Sequence, residues 1–168
     1  MIFVTVGTHE QPFDRLLKCI DKMVEEGKIK EKVIIQKGYT DYKPTYCESH
    51  KLIGYDEMQS YIKQARIIIT HGGPASFIAP ISIGKIPIVV PRKKEFNEHV
   101  NNHQLEFSKE VEKRMNNIIV AETEKEIYDV IVNYENKVSK MNKEISSNNK
   151  VFNEKLERAV EELFESRK

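Results

Sequence analysis

Short runs of β-branched residues punctuate this chain: Ile2–Val6, Val33-Ile34-Ile35, Ile67-Ile68-Ile69, Ile86–Val90 and Ile118-Ile119-Val120. They are apolar at successive positions instead of every second one, so both faces of each strand are buried. That requires a parallel sheet covered by helices on both sides. The intervening stretches have helical spacing. Pro12 opens one with Phe13, Leu16, Leu17, Ile20 and Val24, and others run from Asp56 to Ala65, Pro74 to Ile83, Glu98 to Arg114 and Glu124 to Tyr134. Asp56 with Gln59 reads as an N-cap pair, and Lys51-Leu52-Ile53 as a further short strand. The class is α/β, a Rossmann-like doubly wound parallel sheet.

A chain of 168 residues supports one such core, not two nucleotide-binding domains. Lys and Arg number 27 against 26 Asp and Glu, a net charge of +1, which excludes whole-chain attraction to nucleic acid. No apolar run approaches the roughly 20 residues of a membrane span. The opening Met1–Gly7 has no basic leader and reads as a buried strand, giving the expectation of a cytoplasmic protein. Cys19 and Cys47 offer neither a disulfide framework nor a metal-spaced set. Residues 1–135 therefore read as the domain and 136–168 as a helical extension. Within it, Phe152, Leu156, Val160 and Phe164 form an amphipathic stripe that either packs on its own sheet or docks a partner.

In an open parallel sheet, ligands bind beyond the carboxyl ends of the strands. The loops there are Gly7-Thr8-His9-Glu10-Gln11, Lys37-Gly38-Tyr39, Gly54-Tyr55-Asp56, Thr70-His71-Gly72-Gly73-Pro74 and Pro91-Arg92-Lys93-Lys94. In Thr70–Ser76, two glycines permit close backbone approach and Pro74 suits the first helical position. The free N–H groups of a helix start then favour an anion. An ordinary strand-to-helix turn is the alternative. Gly7-Thr8 offers a second, weaker site. Neither the P-loop pattern nor G-x-G-x-x-G is present, since Gly84-Lys85 is followed by Ile86. Charge neutralisation falls to helix ends and to Arg92, Lys93, Lys94, His99 and His103. On one helix His99 and His103 would be four apart, a metal spacing without an evident third ligand, so hydrogen bonding is preferred. Asn102 and Gln104 supply amides suited to sugar hydroxyls and phosphate oxygens.

Four segments in this order, Val4-Thr5-Val6-Gly7-Thr8, Thr70-His71-Gly72-Gly73-Pro74, Gly84–Arg92 and His99–Gln104, resemble the C-terminal domain of glycosyltransferase family 28. The likeness extends over about residues 1–135. It is nearest to bacterial polysaccharide-synthesis subunits of the PssE type, which are similar to the catalytic subunit of the two-subunit dolichol-linked N-acetylglucosaminyltransferase. The resemblance implies the donor-binding half of a GT-B fold, a UDP-sugar substrate, and no cofactor or essential metal. It also implies a membrane-associated partner subunit that presents a lipid-linked saccharide acceptor and recruits this chain to the inner face of the membrane. A homo-oligomer stays open. By the same resemblance Gly7 and Thr8 contact donor phosphate, Tyr55 lies near the uracil, and His71, Gly72, Gly73, Pro74 and Ser76 hold the diphosphate. Arg92 joins the substrate-binding set, and Asn102, His103 and Gln104 contact sugar and phosphate. The expected reaction is inverting hexosyl transfer in exopolysaccharide or capsule synthesis, with His9 as candidate catalytic residue. The alternatives are a non-catalytic nucleotide-sugar-binding accessory subunit and an NDP-sugar epimerase-like enzyme. Where single-chain members carry an acidic residue for the ribose, this chain has Ala79, so Glu95 or Glu98 is the candidate substitute.

Overall fold

A computed structural model describes residues 1–141 together with 155, 157 and 158. The expected amphipathic stripe at Phe152, Leu156, Val160 and Phe164 lies outside the described residues. Strands β1 (Ile2–Thr5), β2 (Val33–Gln36), β3 (Glu48–His50), β4 (Ile67–His71), β5 (Ile88–Val90) and β6 (Ile119–Val120) form one parallel sheet in the order β3-β2-β1-β4-β5-β6. This is the doubly wound order, in which connections on either side of β1 and β4 run in opposite directions. A crevice opens where they part.

Helices α1 (Asp14–Glu25), α5 (Glu124–Val132) and α6 (Tyr134–Val138) cover one face. There Leu16, Leu17, Ile20, Ile127, Ile131 and Tyr134 pack on Val4, Ile35, Ile69 and Val90. Helices α2 (Tyr55–Gln64), α3 (Pro74–Ile81) and α4 (His103–Met115) cover the other. Ile62 meets Phe3, Ile34 and Ile68, and Phe77 meets Val89 and Ile118. Tyr134 and Val138 belong to this core, and the Tyr134 hydroxyl donates to the Ile86 carbonyl at 2.6 Å. No helix among the described residues is long and apolar enough to cross a membrane.

Some local expectations are corrected. The third strand is Glu48–His50, not Lys51–Ile53; Leu52 is 54% exposed. It is an edge strand, held by backbone pairing to β2 and by Lys32 on Glu48, so it carries none of the apolar signal of the central strands. Helix α2 starts at Tyr55 with Gly54 at its N-cap, which places Asp56 inside the first turn, where its charge suits the helix dipole without capping. The reciprocal capping box belongs to α5, where Thr123 accepts from the Glu126 N–H and Glu126 accepts from the Thr123 N–H. Lys85, next to Gly84, binds no phosphate loop. Its ammonium donates to the carbonyls of Ile62, Lys63 and Ala65 at the carboxyl end of α2.

The fourth helix-forming stretch, expected from Glu98, also starts later than expected. A short 3₁₀ turn, Lys94–Phe96, is stopped by Asn97 in the left-handed region (φ 55°), and α4 begins only at His103. His99 therefore precedes the helix, and the metal-spaced pair with His103 does not arise.

Candidate functional site

The carboxyl ends of β1 and β4 meet at the crevice, and a polar row crosses the sheet there. Thr5 lies in register with Gln36 on one side and Thr70 on the other. All three are buried, and the Thr5 hydroxyl donates to Gln36 Oε1. A purely structural sheet fills such positions with apolar side chains, because buried polar atoms cost free energy unless paired.

Above this row sits His71, 9% exposed, with glycines packed against its ring. Gly7 takes φ 73°, and a Cβ there would stand 2.5 Å from His71 Cε1. Gly73, in ordinary extended backbone (φ −75°), would place a Cβ 3.0 Å from His71 Cδ2 and closer still to Nε2. The two glycines thus let the β1 and β4 loops close over one imidazole. Burial, aided by the nearby Arg92 charge, pushes the His71 pKa down to about 4. In the unfolded chain this ring protonates near its ordinary 6.5, so below that pH the unfolded state binds the additional proton. Stability is therefore expected to fall as pH drops from 6.5 toward 4, by up to about 3 kcal/mol. Denaturant unfolding at a series of pH values checks this: His71→Gln should flatten that stretch of the profile, and an unchanged slope in the variant would refute it.

Helix α3 starts at Pro74 with no side-chain cap, which leaves its first turn directed at the crevice. The Ser76 N–H turns back to the Gly73 carbonyl at 3.0 Å. Gly72 is committed as well: its N–H donates to Gln104 Oε1 at 3.1 Å, and the same oxygen accepts from the Arg92 N–H at 3.2 Å. Gln104 thereby ties the β4–α3 turn, the end of β5 and the start of α4 together. Asn102 serves the adjacent loop, accepting from the Lys94 N–H at 2.8 Å. Gly72, Pro74, His103, Gln104, Glu106 and Phe107 line a cleft of about 420 Å³ between the amino ends of α3 and α4. A larger hollow of about 610 Å³ lies at the β6 edge, among Glu112, Asn116, Asp129, Asn133 and Lys137. Its lining takes from the sheet only Ile119, the first residue of β6, and nothing from the loops that follow the strands at the crevice, so the cleft beside α3 is the better candidate.

Thr8 is exposed at the mouth of the β1 loop, and Tyr55, 77% exposed, stands at the first position of α2 on the same edge. His9 is half-buried, its ring tilted at 37° against that of His99, with 4.9 Å between centroids. Arg92 is different. It is 1% exposed, and its guanidinium donates to the carbonyls of Gln11 (2.7 Å), Pro12 (3.3 Å), Glu98 (3.1 Å) and Val6 (2.9 Å). Those bonds direct it into the protein, so it braces the site instead of facing a ligand. Glu98 is equally unsuited to ribose: 3% exposed, it is held by Arg15 at 2.8 and 3.0 Å and by the Lys93 N–H. Glu95 remains on the surface. Lys93 is spent on Glu122 at 2.7 Å. Sequence reasoning passed over Arg15, which bonds Glu98 and the carbonyls of Pro91 and Glu122 across α1; its helical position resembles any solvated surface arginine.

The model of the glycosyltransferase family 28 C-terminal domain matches residues 1–167. The UDP-N-acetylglucosamine transferase subunit ALG13 of Homo sapiens is 33% identical over 121 residues, covering 67% of this chain and 10% of that protein. The Mus musculus protein of the same name is 31% identical over 120 residues, with 66% and 10% covered. The chain thus spans about a tenth of the length of these curated relatives. Among solved structures, the glycotransferase of kitacinnamycin superposes with a TM-score of 0.54 at 15% identity, covering 78% of this chain and 34% of that one. The glycosyltransferase SnogD from Streptomyces nogalater gives 0.50 at 14%, covering 83% and 39%. At such identities these two show the fold alone, a Rossmann-like half of a GT-B architecture. With the family match spanning nearly the whole sequence, the chain belongs to the glycosyltransferase family 28 C-terminal domain family.

Proposed function

We propose that this chain is the donor-binding, catalytic subunit of a two-component inverting glycosyltransferase. It holds a UDP-sugar, and a membrane-associated partner presents a lipid-linked saccharide acceptor at the inner face of the membrane. The observation that carries the reading is the uncapped start of α3 behind the Gly72-Gly73 turn, at the sheet's switch point in a family 28 chain. The likeness to ALG13, a UDP-N-acetylglucosamine transferase subunit, supports the UDP-sugar and the subunit character. In this reading the diphosphate lies over Gly7, Thr8 and the Gly73–Ser76 turn, Tyr55 borders the base, and the cleft beside His103 and Gln104 takes the sugar. Helix-start dipoles and N–H donors offset the charge that grows on departing UDP, so no cofactor or metal is assigned. Exopolysaccharide or capsule synthesis is the setting that a lipid-linked acceptor suits.

Calorimetric titration with UDP, followed by a transfer assay with the co-expressed partner, lipid-linked acceptor and a panel of UDP-sugars, tests this. Binding and acceptor-dependent release of UDP are expected. No binding at millimolar UDP would overturn the reading. Binding without turnover would leave a nucleotide-sugar accessory subunit, and consumption of UDP-sugar without acceptor would point to epimerase-like chemistry. His9→Ala is expected to lower the transfer rate more than UDP affinity, and equal turnover would remove His9 from the chemistry.

A further inference from the structure

The two neighbouring imidazoles of His9 and His99, tilted against one another at the mouth of the crevice, are wired differently. His9 Nδ1 accepts a hydrogen bond from the Gln11 N–H at 3.1 Å, so a neutral His9 ring carries its proton on Nε2. His99 Nδ1 lies 3.1 Å from Asn101 Oδ1. That oxygen also accepts from the His103 N–H at 3.2 Å, the first helical residue of α4, which fixes the orientation of the Asn101 amide. With that oxygen so held, the shorter contact assigns His99 Nδ1 as the donor, which leaves its Nε2 a free lone pair. The competing approach, from the Asn101 N–H to the same Nδ1, is longer at 3.4 Å. Neither Nε2 has a hydrogen-bond partner among the described residues, and both rings are partly exposed.

We propose that this pair divides the chemistry of transfer by tautomer: His9 Nε2–H donates to the departing phosphate, and His99 Nε2 is the general base for the acceptor hydroxyl. The inference rests on the donor-binding reading above. In the step, the acceptor oxygen forms the new bond to the anomeric carbon while its proton passes to His99 Nε2. The carbon–oxygen bond to the diphosphate breaks, and UDP leaves with the electron pair, its negative charge met by His9 Nε2–H and the start of α3. Gln11 and Asn101 are positioning residues that act through the two rings. The pKa of His9 is lowered by its burial, then by Arg92 and His99, which agrees with a neutral donor at that position.

Ring nitrogen NMR on the full chain with ¹⁵N-labelled histidine reads the tautomers directly, whatever the enzyme transfers. Nε2–H at His9 and Nδ1–H at His99 are expected, and the same tautomer at both overturns the proposal. With partner and acceptor present, His99→Gln should lower kcat by about 10²–10⁴-fold, with KM for the UDP-sugar changed by less than about twofold. Retained kcat overturns the base assignment. Asn101→Ala should move the His99 proton to Nε2 and lower kcat, and Asn101→Asp should restore both. A rate that falls in Asn101→Ala with the tautomer unmoved overturns the coupling. Absent UDP binding in the unaltered protein overturns the donor reading instead, and is distinguished by leaving the NMR result in place.

Discussion

Replacing Arg92 with leucine is expected to lower the unfolding free energy by roughly 3–5 kcal/mol, the range for removing one member of a buried charged network. Four carbonyl oxygens, on Val6, Gln11, Pro12 and Glu98, lose this donor at once; the bonds to Val6 and Glu98 are buried, and an unpaired buried carbonyl costs about 1–3 kcal/mol before relaxation, whereas water reaches the partly buried bonds to Gln11 and Pro12. The guanidinium also lies over the Phe13 ring, 4.8 Å from its centroid, so packing is lost together with charge. Burial lowers its pKa to about 10, with Glu98 opposing, so it stays charged at neutral pH inside the protein. Leucine removes that desolvation cost, which keeps the net loss below the sum of the bonds. Urea unfolding measures the difference, and a loss under about 1 kcal/mol would contradict the account. Arg92→Lys is expected to recover only part of the loss, since an ammonium cannot span carbonyls from three separate segments as a planar fork does.

The effect on the site follows from where those carbonyls lie. Val6, Gln11 and Pro12 frame the β1–α1 loop, and Glu98 immediately precedes His99. Arg92 therefore holds His9 and His99 in register, and Arg15 reinforces the same junction from α1 through Glu98, Pro91 and Glu122. A candidate site built on loops needs such bracing, because its polar groups sit on segments with no ladder of their own.

The central strands were legible as Ile/Val runs because burial on both faces leaves no polar alternation to confuse the pattern. Edge strand β3 was not: Glu48, Ser49 and His50 are selected by their exposed position and backbone pairing, which leave no hydrophobic mark. The glycine turn at Gly72-Gly73 was recognisable from Pro74 and the preceding strand. Its packing partner was hidden, since Gly7, His71 and Gly73 meet only when β1 and β4 become neighbours. Arg92 shows the same limit. A basic residue after a strand reads as a ligand contact, and only the fold reveals four inward carbonyls that claim it. The start of α4 comes later than the sequence suggests for a local reason: Arg15 holds Glu98, Asn102 accepts from the Lys94 N–H and His99 lies against His9, so these residues are tied to neighbouring segments before the helix begins.

Gly73→Ala isolates the contact on which the site depends. Its backbone lies at φ −75°, ψ 127°, comfortable for alanine, so no conformational strain enters. What enters is a methyl inside contact distance of the His71 ring. The ring is boxed by Gly7 on its other approach, so the turn must lift and carry the first N–H groups of α3 with it. Charge-assisted bonds of that kind are worth about 1.5–3 kcal/mol each, and at 1.4 kcal/mol per decade the loss of one or two predicts UDP binding weakened by about 10²-fold. Calorimetry on Gly73→Ala measures this directly, with unfolding by urea run alongside to separate a lifted turn from a loosened domain. The decisive comparison is His71→Ala/Gly73→Ala, where the new methyl occupies space the imidazole has vacated. If steric conflict is the cause, the double variant binds UDP more tightly than Gly73→Ala alone, an interaction free energy that additive effects cannot produce. If the two losses simply add, the glycine serves the ligand directly and the packing account is wrong.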